Sequence, residues 1–264
     1  MLPKITTPTS KIKIPSTGKT VSVRPFLVKE EKILLMAKQS GTYTDILTSI
    51  KQVVTNCLLE KIDVNKLALF DVEYLFLKLR SISVNNIVKV TYKDNEDQKE
   101  YPFEIDLDKI EIKFPDKVEK VIVLNDEYSL LMKWPEASLY SEQELQADDP
   151  SLNIEFFLAN TIDKICQGDK MIDMKMASKP EITEFVEGIP AKAYEQIKEF
   201  WNTIPKLHYE IKYTNANGTE RSIVMEKLTD FFTSSSMFLR FCRVKLATIL
   251  IVIKSPTIPL RLKA

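Results

Sequence analysis

The sequence is short of the residues from which most enzyme sites are built. It has five glycines in 264 residues and one histidine, His208. Loops that bind phosphates or cofactors need glycine where the backbone approaches the ligand, and histidine is the commonest residue in acid–base catalysis. The scarcity of both disfavours a nucleotide-binding loop and a hydrolytic triad.

Two short motifs suggest chemistry, and each lacks a necessary part. Gly18-Lys19-Thr20 resembles the end of a phosphate-binding loop, but Lys13 occupies the place of the first glycine, and a strand-like stretch follows instead of a helix. His208 has strand-like neighbours, and no Gly-x-Ser-x-Gly elbow supplies a nucleophile. We interpret the first motif as a hairpin turn and His208 as an ordinary strand residue.

Cysteines are few and scattered. Cys57, Cys166 and Cys242 are odd in number and far apart, which disfavours a disulfide framework and favours reduced, buried thiols. The cysteine nearest to His208 is Cys242, 34 positions further along the chain (242 minus 208). Zinc sites pair their ligands closely, so we expect none here.

Two further clusters leave alternatives open. Glu104, Asp106 and Asp108 alternate along a strand, and such a row is either a solvated sheet face, which we favour, or a site for a hard cation. The three methionines between 171 and 176 form either an adaptable binding surface or packing beneath a loop, which we favour. The sequence therefore predicts no catalytic residue, no cofactor and no metal ligand, and we expect a protein that is not an enzyme.

Excess charge and long apolar runs are also missing. Lysine plus arginine number 37 and aspartate plus glutamate number 37, so no bulk attraction to nucleic acid is expected. The first residues lack the apolar core of a signal peptide. The apolar run Leu246–Ile253 is far shorter than the roughly 20 residues that cross a bilayer. We expect no membrane span and synthesis in the cytoplasm.

Apolar spacing divides the chain into four regions and predicts an α+β fold. They are an N-terminal arm, short hairpin and helices over 1–84, an antiparallel β meander over 85–135, helices with a β-hairpin over 150–235, and an atypical basic, apolar tail over 236–264. In the third region, Asn217-Gly218 favours a tight hairpin turn, because both residues tolerate positive φ.

Several segments resemble one viral family. Val23–Ala37 is similar to the strand-to-helix signature of the T4-type bacteriophage baseplate hub proteins. Shorter segments with the same likeness are Leu2–Lys4, Ile14–Lys19, Asp71–Ser81, Pro205–Tyr209 and Leu228–Phe232. The likeness covers about residues 1–235. It implies a structural or assembly component of the hub of a contractile-tailed phage, located in the virion baseplate and docking other hub or tail proteins.

Two other functions stay open. One is an assembly chaperone for the hub that is absent from the finished particle. The other is a tail-associated hydrolase that digests cell wall, which would need a pair of carboxylates facing a cleft.

The signature segment contains a predicted corner between a strand and a helix. Pro25 fixes its own φ after Arg24, Phe26 provides an apolar anchor, and Glu30 and Glu31 favour the positive end of a helix. We interpret these five residues first as a structural corner and second as a contact site for a partner.

The C-terminal tail departs from the family pattern. Residues 237–264 contain no acidic residue, whereas the family is expected to continue with helix and an acidic, aromatic ending. Divergence or a frameshift in the coding sequence would each account for this difference.

Overall fold

The computed structural model describes residues 5–40, 43–141 and 150–231, and its mixture of six α-helices and antiparallel sheets confirms the predicted α+β class. The helices are α1 (Val28–Ser40), α2 (Tyr43–Cys57), α3 (Leu69–Ser83), α4 (Pro150–Thr161), α5 (Lys179–Glu187) and α6 (Ala191–Asn202). The strands are β1 (Ser10–Lys13), β2 (Thr20–Val23), β3 (Ile87–Lys93), β4 (Glu100–Asp106), β5 (Glu111–Lys113), β6 (Val121–Val123), β7 (Tyr128–Met132), β8 (Ile162–Gln167), β9 (Lys170–Asp173), β10 (Lys206–Thr214) and β11 (Glu220–Met225).

The chain divides into two compact units that interleave along the sequence. The described part of the first unit comprises residues up to Phe114, residues 136–141 and residues 205–231. The described part of the second unit comprises residues 115–135 and 150–204. The tail over 236–264 lies outside the described residues.

The first unit is built around α3. Leu75, Phe76, Leu77 and Leu79 of this helix are each at most 2% exposed, so its apolar residues are covered on several sides. Helices α1 and α2 and three small sheets complete the unit, and the sheets are β1–β2, β3–β4 and β5–β10–β11. The predicted N-terminal hairpin is present, with Ile12 opposite Val21.

The second unit is a four-stranded antiparallel sheet in the order β6–β7–β8–β9, with α4 and α6 in contact with it. Ile122, Leu130 and Ile165 lie side by side on three neighbouring strands and are buried. Phe157 and Trp201 of the two helices are also buried, with ring centroids 4.9 Å apart. One face of this sheet is therefore the core of the unit.

The predicted meander over 85–135 is present as strands but not as one sheet. β3 and β4 pair with each other, β5 pairs with β10, and β6 and β7 join β8 and β9. The alternation stops at a 3₁₀ turn over Leu107–Lys109, where the Asp106 carboxylate accepts a hydrogen bond from the amide of Asp108 at 3.1 Å. Because this turn redirects the chain, β5 leaves the preceding hairpin.

The spacing of apolar and other residues over Ile154–Ile165 predicts a single helix there, but the helix is shorter. It ends at Thr161, and β8 begins at Ile162. Ile162 and Ile165 are both buried although they are three residues apart, because a bulge opposite Leu131 and Met132 shifts the strand register. The bulge thus reproduces the spacing of a helix face within a strand.

Candidate functional site

Arg24 is the centre of the corner that the sequence predicts. Its guanidinium donates two hydrogen bonds to the Glu30 carboxylate, at 2.9 and 3.1 Å. It also donates to the carbonyl oxygens of Asn56, at 2.8 Å, and Pro25, at 3.0 Å. This one side chain therefore joins the end of β2, the start of α1 and the end of α2.

Glu30 is the buried half of this ion pair, with a fully covered side chain. One carboxylate oxygen also accepts the amide of Leu27 at 2.9 Å, as a glutamate in the third helical position does when it caps a helix start. Burial opposes its charge, but the hydrogen bonds from Arg24 and Leu27 outweigh burial and lower the pKa of Glu30. The hydrogen bond to Glu30 likewise raises the pKa of Arg24.

Pro25 and Phe26 connect the corner to α3. The amide of Phe26 donates to the Ser83 hydroxyl at 2.8 Å, and the Phe26 ring lies 5.9 Å from the ring of Phe76. The amide of Arg24 donates to the carbonyl of Cys57 at 3.0 Å. The corner thus holds β2, α1, α2 and α3 together through its main chain as well as its side chains.

Glu31 differs from the other four predicted residues because it is exposed. It lies beside three exposed apolar side chains of α1, namely Val28 (68% exposed), Leu35 (50%) and Met36 (70%). Leu35 and Met36 follow Val28 by seven and eight positions, which places all three toward one side of the helix. We call Val28, Leu35 and Met36 the α1 patch.

Cys57 lies at the corner but is not prepared for chemistry. Its sulfur is 3.8 Å from an Arg24 nitrogen, yet burial raises the pKa of the thiol to about 11. A thiol that stays protonated is a poor nucleophile. Cys57 is a buried free thiol, as predicted, and Cys166 is free and half-buried, while Cys242 lies outside the described residues.

A second polar cluster joins two hairpin tips of the first unit, and sequence reasoning missed it. Asp94 in the β3–β4 tip is fully buried, accepts the Tyr213 hydroxyl and lies 3.4 Å from the Arg221 guanidinium. The hydrogen bond from Tyr213 lowers the pKa of Asp94, while burial and that bond raise the pKa of Tyr213 to about 12. We call this arrangement the linked tips, formed by residues 94–99 and 213–221.

Main-chain and amide groups complete the linked tips. The Asn215 amide donates to Glu96 at 2.8 Å, and the Ala216 N–H donates to Asp97 at 3.0 Å. These partners are 119 residues apart in sequence. The charged run from Asp94 to Lys99 by itself predicts a simple turn between two strands, and no local pattern in it indicates the distant partner.

The remaining sequence candidates are structural. Gly18 has φ +70° and closes the β1–β2 turn, as predicted for the broken phosphate motif. His208 is a half-buried residue of β10, opposite Glu111 of β5. The acidic row does not share one strand face, because Asp106 ends β4 and Asp108 lies in the 3₁₀ turn that follows.

The second unit exposes apolar side chains on one sheet face, and the methionines contribute to it. Val123, Ser129, Cys166 and Met171 lie side by side across the four strands. Val123 is 63% exposed and Met171 is 65% exposed. Met176 is also exposed and only Met174 is buried, so packing beneath a loop was wrong for two of the three methionines.

Within the described residues, no group of three or more histidine, cysteine, aspartate or glutamate side chains is arranged to hold a metal ion. In the same part of the chain, no helix is long and apolar enough to cross a bilayer.

Comparisons with known proteins identify one family. No curated protein and no solved structure matches the sequence. The profile of the family described as T4 bacteriophage base plate protein matches residues 7–233, a range that includes the Arg24 corner, the α1 patch and the linked tips. Because this match spans far more than half of the 264 residues, the chain belongs to the T4 bacteriophage base plate protein family.

Proposed function

We propose that the protein is a structural or assembly component of the baseplate hub and that it acts by docking other hub or tail proteins. Membership of the base plate family supports a phage tail protein with phage protein partners. The more specific assignment to the hub rests on the resemblance of Val23–Ala37 to the hub signature. The single observation that supports docking is the exposed α1 patch, which lies in this segment.

The α1 patch is suited to a protein partner. Its three apolar side chains are held on a helix whose start is fixed by the buried Arg24–Glu30 pair, so the patch is presented on a rigid element. Exposed Glu31 and Lys32 lie beside it and provide a charged border. An apolar centre with a polar rim is typical of protein interfaces. The proposed occupant is another baseplate protein with an apolar patch of its own.

Recovery of partners from infected cells tests this docking. The variant Leu35→Glu with Met36→Lys places opposite charges on the patch and keeps the net charge. We expect it to lower the amount of co-purifying baseplate proteins, identified by mass spectrometry, at least about tenfold, as central interface residues do. The control Lys89→Glu with Glu104→Lys exchanges the charges of an exposed ion pair between β3 and β4, keeps the net charge, and should recover wild-type amounts.

Cooperative unfolding of both variants by circular dichroism shows that they are folded. Equal recovery by the two variants would exclude the α1 patch as the docking surface.

Virion content separates a hub component from a chaperone. We propose that the chain is present in purified particles in a constant ratio to other baseplate proteins. Quantitative mass spectrometry of purified virions measures this ratio. If the chain is absent from purified particles but associates with hub proteins in infected cells, it is an assembly chaperone instead.

We also propose that the protein catalyses no reaction. Purified protein should leave the turbidity of a peptidoglycan suspension unchanged. Clearing that is abolished by a single aspartate or glutamate substitution would establish the hydrolase instead.

A further inference from the structure

The tip of the β10–β11 hairpin contains the single Asn-Gly pair of the sequence, Asn217-Gly218. Both residues are exposed, and the space around the α-carbon of Gly218 is open, with nothing within 4 Å of where a β-carbon would stand. A glycine amide nitrogen reaches the preceding asparagine side chain more easily than that of any other residue, because no β-carbon hinders the approach.

We propose that Asn217 is a site of spontaneous conversion to aspartate and isoaspartate, and that the hydrogen bonds of the tip keep this conversion slow. The Gly218 nitrogen loses its proton and attacks the Asn217 side-chain carbonyl carbon. A carbon–nitrogen bond forms, the bond to the side-chain nitrogen breaks, and ammonia leaves. One water molecule then opens the five-membered imide at either carbonyl, which gives aspartate or isoaspartate without any oxidation.

Three hydrogen bonds hold the reacting nitrogen in place. The Gly218 N–H donates to the Asn215 carbonyl at 3.0 Å. The Asn215 side-chain oxygen accepts the N–H groups of Asn217, at 3.1 Å, and Thr219, at 2.9 Å. The nitrogen must leave this arrangement before it can attack. Conversion therefore follows the fraction of molecules in which the tip is open.

Conversion would weaken the linked tips. It adds a negative charge to the β10–β11 tip, in which Asn215, Ala216 and Thr219 bind the acidic residues Glu96 and Asp97. An added charge of the same sign opposes this association. Isoaspartate also lengthens the backbone by one carbon, so the hydrogen bonds that close the turn cannot all be kept.

Peptide mapping by mass spectrometry in ¹⁸O-labelled water measures the conversion, since only newly formed product takes up the label. The full-length protein is incubated folded, in urea, and as the variant Asn215→Ala. We expect Asn217 to convert at least about tenfold faster in urea than in the folded protein, because the turn is then open. The variant Asn215→Ala lacks the side-chain oxygen that accepts two amide N–H groups, so its rate of conversion in the absence of urea should lie between these two rates.

Two comparisons make the result decisive. Asn95, exposed in the facing tip and followed by Glu96, serves as an internal reference that lacks the following glycine. In urea, Gly218→Ala should slow the conversion of Asn217. A reaction through another nitrogen would not be slowed by this substitution. If Asn217 converts no faster than Asn95 in urea, Asn217 is not a preferred site of conversion and the proposal is wrong. If Asn217 converts at the same rate in the folded and the urea-treated wild-type protein, the hydrogen bonds of the tip do not slow the conversion.

Discussion

Individual side chains of the corner divide into those that hold the fold and one that faces outward. Glu30 is fully covered and paired with Arg24, whereas Glu31, the next residue, is exposed. The two glutamates have the same chemistry and adjacent positions, so they form a matched pair for experiment. A buried ion pair is costly to break because its remaining charge stays desolvated.

Glu30→Gln should lower the free energy of unfolding by about 3 kcal/mol at neutral pH, because Arg24 loses its charged partner inside the protein. Glu31→Gln should change it by less than about 0.5 kcal/mol, as is usual for exposed positions. Urea denaturation of the two variants and the wild type measures both effects. Equal losses of free energy of unfolding in the two variants would mean that the buried Arg24–Glu30 pair makes no specific contribution to stability.

The advantage of wild type over Glu30→Gln should depend on pH. The pKa of Glu30 is lowered in the folded protein, whereas an unfolded glutamate has a pKa of about 4.3. The contribution of its charge is therefore complete above the unfolded pKa and is lost as the pH falls through the folded pKa. Denaturation at a series of acidic pH values should show the difference in free energy of unfolding between the two proteins shrinking as the pH falls.

Gln98 is the one non-glycine residue with positive φ, at +59°, in the described part of the chain. Side chains with a β-carbon cost roughly 1 kcal/mol in this conformation. Gln98→Gly should therefore raise the free energy of unfolding by about 0.5–1 kcal/mol. The control Lys99→Gly, at a neighbouring position without positive φ, should lower it by a similar amount. Thermal denaturation of both variants decides whether strain is present.

At the scale of secondary-structure elements, a single buried hydroxyl lies at the junction where α4 ends and β8 begins. Thr161 is fully buried, donates to the Phe157 carbonyl at 2.9 Å and accepts the indole N–H of Trp201 at 3.0 Å. The helix ends at this residue and the strand begins at the next. The hydroxyl thus links the end of α4 to α6.

Thr161→Val should lower the free energy of unfolding by about 1–3 kcal/mol, because the Trp201 N–H remains buried without its acceptor. The near-ultraviolet circular dichroism of Trp201 should change as well. Thr55→Val removes an exposed hydroxyl of α2, which donates to the Lys51 carbonyl of the same helix, and should cost less than about 0.5 kcal/mol. An equal cost for both variants would contradict the role of the buried hydroxyl.

Hairpins were the elements that sequence patterns predicted best. Alternation located β1–β2 and β10–β11, and Asn217-Gly218 marked the second turn. The turn type differs from the expectation, because Gly218 has φ +82° while Asn217 has no positive φ. The larger errors, the single meander and the long fourth helix, arose where a 3₁₀ turn or a bulge interrupted a regular period. Such interruptions depend on partners far along the chain.

At the scale of the whole molecule, the match to the family ends at residue 233, shortly before the atypical tail. Within the described part, the first unit buries Leu228 and Phe231, which are 5% and 0% exposed. The C-terminal limit of the core therefore lies at or beyond Phe231.

Two truncations test this limit. A chain ending at residue 236 should unfold cooperatively with nearly wild-type stability. A chain ending at residue 226 also loses Leu228 and Phe231, and removal of a buried phenylalanine alone costs about 3–5 kcal/mol. Calorimetry of the purified chains compares them. Loss of cooperative unfolding in the longer truncation would show that residues after 236 contribute to the core.

The sequence by itself determined the α+β class, the short hairpins, the corner and the base plate family, because these depend on local period, turn residues and a contiguous signature. The division of the chain into three-sheet and four-stranded units was decided only by tertiary structure. Tertiary structure alone also decided that Glu30 is buried and paired, that Glu31 is exposed, and that the two hairpin tips are linked. The physical reason is that burial and pairing depend on residues brought together from distant positions, such as Asp94 and Arg221, which are 127 apart (221 minus 94), and no local pattern contains this information.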